Sequence, residues 1–386
     1  MNRIDELAAQ LAAVGDLPAF VTDLQALGEQ GAAIRAALGP DVEWYYAAKA
    51  NPDPRVLQVL TPYVDGVEVA SLGELRHVRA HLPRVPLALA GPVKPEPVLA
   101  AALAAGVELV HVESVRELTT LAAVAEDRVV DVLLRANPAL AVAEGAALVM
   151  GGRPSPFGLD PAALDACAAL LPQLPGVRFR GLHTHLASGL TAAQHLELAA
   201  GVLEWATAWS ARHGLPLEVV NLGGGMAVDY RADRREPGAR FDWAAEGAGL
   251  QALSAAYPGV RLRLEPGRAV SAYCGHYLAR VVDVRASHGE WFAVVDGGTH
   301  HLRTPAARGH SQPLRVVPLG ENRSHVAPLT VSGALCTPRD VLAHLPEGAT
   351  VGPGDVVVFE MAGAYGWNIS HHDFLMHPHP SFHHVG

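Results

Sequence analysis

Cysteine is scarce: the chain has only Cys167, Cys274 and Cys336. None stands in a C-x-x-C pair, and an odd count makes a poor disulfide framework. A reducing, cytoplasmic setting is therefore expected. Long apolar runs are missing too. No uncharged apolar stretch reaches the roughly 18 residues that a membrane helix needs, so no membrane span or membrane partner is expected. The N-terminus, MNRIDELAAQLAAVG, carries charges in its first turns and lacks an apolar core segment, which argues against a signal peptide. Basic runs are absent as well. The net charge is -10 and no Lys/Arg-rich block occurs, so nucleic acid is not an expected partner. No repeat or low-complexity linker stands out, and the charged segment RADRREPGAR (231–240) reads as a loop.

Apolar residues, by contrast, are plentiful. They make up 50% of 386 residues, enough for a large core and too many for one small domain. A barrel of about 250 residues with a second domain of about 100 would fit this length. Apolar, β-branched runs recur at 44–48, 66–70, 85–90, 107–112, 129–136, 178–185, 217–222 and 260–265. Amphipathic, Ala/Leu-rich stretches lie between many of them, such as PRVLQVL, LGELRHVRAHL and PAALDACAALL. Eight buried strands separated by helices predict an α/β fold, a (β/α)8 TIM barrel. After Arg268 the texture changes. Runs such as HYLARVVDVRA, EWFAVVDGG, LRVVPL, HVAPLTVSG and DVVVFEMAG predict a C-terminal β domain.

Functional residues of such a barrel stand at the C-terminal ends of its strands. Here those ends carry Lys49, Ser71, Lys94, Arg135 and Asn137, His185 with Ser188, Gly223-Gly224-Gly225, and Glu265-Pro266-Gly267-Arg268. Each has a bland reading beside the chemical one. Lys49 is either a lysine snorkelling at a strand end or a Schiff-base lysine whose partial burial favours the neutral amine. Glu265 either bridges to Arg263 or Arg268, or faces a protonated ring nitrogen. His185 is either a core histidine or a flat ring stacked on a cofactor. The glycine triplet is either a tight turn or a phosphate-binding loop of bare amides, with Arg268 as a charged donor to the same phosphate.

Taken together and in order, YYAAKANP, GVEVASLGEL, LRANP, FGLD, GLHTHLASG, NLGGGM, EPGR, GALCTPRD and GAYG resemble the motifs of the fold-type III pyridoxal-phosphate decarboxylases. That group includes the ornithine, arginine and diaminopimelate decarboxylases, whose barrel is alanine racemase-like. The resemblance covers nearly the whole chain and implies pyridoxal 5'-phosphate as cofactor. It implies that Lys49 holds the cofactor, that His185 stacks on its ring and that Glu265 pairs with the ring nitrogen. Ser188, Gly224, Gly225, Pro266, Gly267, Arg268 and Tyr365 would complete the cofactor site, chiefly around the phosphate. Cys336 would deliver a proton to Cα, whereas Cys167 and Cys274 read as buried structural thiols. Cys336 and Asp340 would reach into a second subunit's site, making a homodimer with shared sites. The expected domains are residues 26–270 for the barrel, with 1–25 and 271–386 forming the β domain.

Several positions depart from the family pattern. Glu68 and Asn221 replace common aspartates, and Ala187 a common glycine. Thr337 follows Cys336 where an acidic, amine-gripping residue is frequent. Arg303, in HLRTP, matches a carboxylate-binding arginine of diaminopimelate decarboxylases, without the tyrosine found just beyond it. Arg303, Cys336, Thr337 and Asp340 are the candidate substrate residues. The C-terminal GAYGWNISHHDFLMHPHP resembles a siderophore-assembly subgroup that decarboxylates a citryl-diaminopropionate-type intermediate. Diaminopimelate or another basic amino acid is the alternative substrate. A racemase on the same fold, or a non-catalytic cofactor-binding protein, is the alternative function. The late histidines (His371, His372, His377, His379, His383, His384) lack helical spacing and include a proline-held HPHP, so no metal site is expected.

Overall fold

The eight apolar runs become eight parallel strands that close on themselves as a barrel. In a computed structural model, which describes residues 2–141, 148–230, 240–303, 311–320, 324–325, 328–345 and 348–386, the strands are Val42–Ala47, Gly66–Val69, Leu87–Leu89, Leu109–Val112, Val130–Arg135, Val177–His183, Val219–Asn221 and Arg261–Leu264. The last pairs in parallel with the first, Leu262 opposite Val42, which shuts the ring. Tyr45, Ala88, Leu109, Leu133 and Val219 pack together as one buried cluster. The guanidinium of Arg263 lies 3.9 Å from the centroid of the Tyr45 ring.

The helices start where the sequence supplies a cap. Asp53 accepts from the amides of Arg55 and Val56 ahead of Pro54–Leu60, and proline occupies the first turn, where no N–H is needed. Ser71, Ser114 and Asp160 cap three more helices in the same way, and Thr191 with Gln194 forms a full capping box for Ala192–His213. No helix among the described residues is long and apolar enough to cross a membrane.

The chain divides into two compact units. One holds residues 29–228 and 240–269, the barrel. In the other, the first 28 residues group with Val270–Gly386. This second unit is an eight-stranded, largely antiparallel sheet. Its long strand Gly275–Ser287 pairs with Glu290–Val295, with Val356–Phe359 and with the N-terminal strand Ala19–Asp23. Its core gathers Phe20, Tyr277, Val295, Leu329, Val331 and Phe359. Several strands went unread in the sequence, among them Val341–Leu345, Thr350–Val351 and Ser381–Val385; the last runs parallel to Ala19–Asp23. The segment 231–239, expected to be a loop, lies outside the described residues.

Candidate active site

Because all eight strands run in one direction, their C-terminal ends bring distant residues to one mouth. Val42–Ala47 passes into the short turn Ala48–Ala50, which carries Lys49. The turn is braced on both sides: the Tyr46 hydroxyl donates to the Asn51 carbonyl (3.2 Å), and the His77 ring meets the Pro52 carbonyl (2.7 Å). The Lys49 side chain is 43% exposed, and its Nζ lies 2.5 Å from Oε2 of the buried Glu68 on the neighbouring strand. Glutamate rather than aspartate at 68 supplies the extra reach. The chain contains two lysines in all, Lys49 and Lys94. Lys94 is buried against Glu117 (2.9 Å), with the Glu117 carboxyl pushed up to about 7 by burial. Lys49 is thus the one lysine with an accessible side chain.

Glu265 follows directly on the last strand and is buried. The bridge to Arg263 considered from the sequence does not form: Arg263 turns to Glu43 at 2.7 Å. Glu265 instead accepts from Asn221 Nδ2 at 2.7 Å. Burial, and secondarily the Glu68 carboxylate, push its carboxyl up to about 7. His111 and His183 stand behind it, with Nε2 atoms 3.5 Å and 3.6 Å from its two oxygens. Ligand atoms of these three residues fall within 4.8 Å of one another.

The glycine loop is built by close backbone approach. Gly223 (φ +71°) and Gly225 (φ +105°) adopt left-handed conformations that side chains rarely take. A Cβ on Gly224 would lie 2.6 Å from the Glu265 carbonyl, and one on Gly225 2.4 Å from that of Ala187. The loop therefore lies flat against the strand ends bearing Glu265 and Ser188. His185 is half-buried and its Nδ1 accepts from the Gly224 amide (3.3 Å), which leaves the proton on Nε2. Burial pulls its imidazole down to about 3, so the ring is neutral. Pro266 and Gly267 are buried beside Ala47 and Ala50, and Arg268 is half-buried. At the fifth strand Arg135 pairs with Glu113 (2.8 Å), and Asn137 clamps Gly152 and Arg153 beside a cavity of about 670 Å³.

The remaining candidates belong to the sheet unit. Cys336 is exposed and Thr337 half-buried on the loop that ends at Asp340. Asp340, expected to reach into a second subunit's site, is buried within its own unit, 2% exposed. Its Oδ1 accepts from the amide and hydroxyl of Thr299, and its Oδ2 from the Leu335 amide. Arg303 is exposed, and its amide donates to Ser370 Oγ (3.1 Å), which ties it to the segment following Tyr365. Tyr365 is half-buried at φ 51°. Sequence reasoning missed His111, His183 and Glu113, and it flagged Glu68 only as a departure. A histidine amid the apolar run VELVHV was the available signal for His111.

The barrel thus places an accessible amine, a buried carboxylate with a raised pKa, a neutral imidazole and a ring of bare amides at the same strand ends. Comparison with known proteins agrees. The family described as pyridoxal-dependent decarboxylase, pyridoxal binding domain, matches residues 24–272. A Staphylococcus aureus 2-[(L-alanin-3-ylcarbamoyl)methyl]-2-hydroxybutanedioate decarboxylase is 36% identical, over 94% of this chain and 92% of that protein. A diaminopimelate decarboxylase of Actinosynnema pretiosum is 34% identical, over 93% and 82%. The structure of Vibrio vulnificus lysine/ornithine decarboxylase with putrescine shares the fold at a TM-score of 0.82 and 22% identity, covering 99% of this chain and 98% of that one. The chain belongs to the pyridoxal-dependent decarboxylases.

Proposed function

We propose that this decarboxylase acts on an amino acid whose far end bears carboxylates, of the kind a citryl amide of diaminopropionate presents. One observation carries the choice of a distal acid. The similarity to the S. aureus enzyme spans 94% of the chain, so it includes the sheet unit with the exposed Arg303 and with Thr337 where an amine-gripping acid is common. Arg303 recognises a distal carboxylate through its planar fork of donors.

The barrel residues fit pyridoxal phosphate. Glu265 is a buried carboxylate whose hydrogen bond comes from a neutral amide, and a cation placed beside it would relieve its desolvation. The glycine loop offers amides without Cβ atoms in the way. When bound, the cofactor supplies an electron sink for the pair left on Cα as CO2 departs. Lys49 would hold the cofactor by its aldehyde, and Glu68 pairs with the Lys49 ammonium when that amine is free. His185, neutral and flat, would stack on the cofactor's ring. Glu265 keeps the ring nitrogen charged. Ser188, Gly224, Gly225, Pro266, Gly267, Arg268 and Tyr365 hold the cofactor, chiefly by its phosphate. Cys336 hands a proton to Cα, and Asp340 positions the cysteine's loop. In this reading two chains form a head-to-tail homodimer, with Cys336, Thr337 and Arg303 of one serving the barrel of the other. A reducing, cytoplasmic setting suits three free thiols.

The test is CO2 release over a panel of amino acids and citryl amides, with borohydride trapping alongside. Release from citryl-diaminopropionate well above that from diaminopimelate or ornithine supports the substrate, and the reverse order overturns it. Only two lysines exist, so a pyridoxyl group on Lys49 is an unambiguous mass-spectrometric result. Its absence would sink the cofactor assignment.

A further inference from the structure

Behind Glu265 lies a set of polar side chains that the reaction as derived above does not use. Asn221 Nδ2 donates to Glu265 Oε1 at 2.7 Å, and Asn221 Oδ1 accepts from the Gly223 amide at 2.9 Å. The second bond fixes which way the amide points: with its oxygen engaged by an N–H, its NH2 must face the glutamate. An aspartate here could still accept from Gly223. It would then bring a second carboxylate within 2.7 Å of the first, and one of the two would have to take a proton. Asparagine therefore suits a glutamate that stays ionised.

The two histidines complete the shell. His111 and His183 are buried and stack at 4.3 Å between ring centroids, 26° from parallel. Their Nε2 atoms approach opposite oxygens of the glutamate, His111 toward Oε1 (3.5 Å) and His183 toward Oε2 (3.6 Å). Among the described residues neither ring nitrogen of His183, nor Nδ1 of His111, has a hydrogen-bond partner. Buried N–H groups are rarely left unpaired. The carboxylate is the acceptor that His183 Nε2 faces, while His111 Nε2 also meets Asn221 Nδ2, and burial holds both rings neutral. Each ring then carries one proton: that of His183 is free to sit on Nε2, whereas His111 Nε2 accepts from Asn221 Nδ2 at 3.5 Å.

We infer that Asn221, His111 and His183 are positioning residues: Asn221 and His183 form a neutral donor shell that holds Glu265 as the anion, with His111 orienting the Asn221 amide, and together they fix the charge on the cofactor's ring nitrogen. The inference rests on the reading of Glu265 as the partner of that nitrogen. It assigns a task to two buried imidazoles that would otherwise cost stability.

The experiment uses the full-length holoenzyme loaded with pyridoxal phosphate labelled with 15N in the ring. The wild type should give the ring-nitrogen shift of a pyridinium. N221D should move it toward neutral pyridine and lower kcat by roughly tenfold, the equivalent of one unit of proton affinity, while KM changes little. H183F and H111F should move the signal the same way, whereas H183Q, which keeps a donor near Nε2, should return it toward the wild-type position. Should N221D fail to fold, H183F against H183Q carries the same test, because a packing role alone would alter melting temperature without moving the ring signal. An unchanged 15N shift in the variants, with Lys49 still trapped by borohydride, overturns the donor shell and leaves the cofactor assignment standing. No pyridoxyl group on Lys49 removes the assignment itself. A stoichiometric transition metal in the purified holoenzyme would make the three residues ligands and also overturn the inference.

Discussion

Glu265 shows how one side chain couples folding to chemistry. Its carboxyl is pushed up to about 7 from the usual 4.5, by burial first and the Glu68 charge second. A folded value above the unfolded one means that the folded chain holds the proton more tightly. The associated stability is complete below about pH 4.5 and is lost as pH rises through about 7. In cofactor-free protein, wild type should therefore lose on the order of 2–3 kcal/mol between about pH 5 and pH 8 relative to E265Q, which cannot titrate. Urea midpoints of the two proteins at both pH values measure this, and parallel slopes would contradict it. The difference between proteins matters because His183 and the half-buried His185 work in the opposite sense: burial depresses their folded values, so their contribution is lost on acidification. In the holoenzyme, E265Q should cost about 100-fold in kcat, the usual scale for losing a preorganised charge. A loss confined to KM would mean that the carboxylate only binds.

The glycine loop and the Cys336 loop are small elements with opposite demands. The first needs bare backbone. G225A would set a methyl 2.4 Å from the Ala187 carbonyl at a φ of +105°. We expect cofactor affinity to fall at least tenfold, read by titration of the visible band, while the barrel's circular dichroism persists. The second needs a buried anion. Three donors converge on Asp340, and D340A strands them at about 1–3 kcal/mol each, less whatever water recovers. Chemical denaturation should register a loss of roughly 2–4 kcal/mol, with D340N in between. Legibility follows the same division. All eight barrel strands could be read because each is dominated by buried apolar residues, and helix Pro54–Leu60 because its stretch PRVLQVL is amphipathic. Ser381–Val385 could not: its residues alternate between half-buried and exposed, and its partner Ala19–Asp23 lies at the far end of the chain. Among site residues, Lys49 and the glycine loop announce themselves by motif. Asp340 shares a motif with Cys336, yet the acceptor work its carboxylate does depends on Thr299, which no local pattern ties to it.

At the scale of the whole molecule the question is what faces the exposed loop of the sheet unit. The sheet unit carries Cys336 on an exposed loop, and it displays Phe374, Leu375 and Met376 at 47%, 46% and 87% exposure. Leu375 and Met376 also sit at φ 60° and 57°, a conformation that large side chains hold only when surroundings enforce it. A run of exposed apolar residues on strained backbone suits a surface covered by a second copy. The proposed homodimer with shared sites has an arithmetic consequence. K49A and C336A homodimers should each be nearly inactive, because every site in them lacks one partner. On subunit exchange, half the dimers are mixed, and each mixed dimer joins an intact Lys49 to an intact Cys336 at one of its two mouths. Activity should return to about one quarter of wild type, the fraction set by a two-fold dimer with sites built across the interface. Exchange proven by mass, with no activity recovered, would mean that each chain supplies its own cysteine and that the exposed loop serves some other contact.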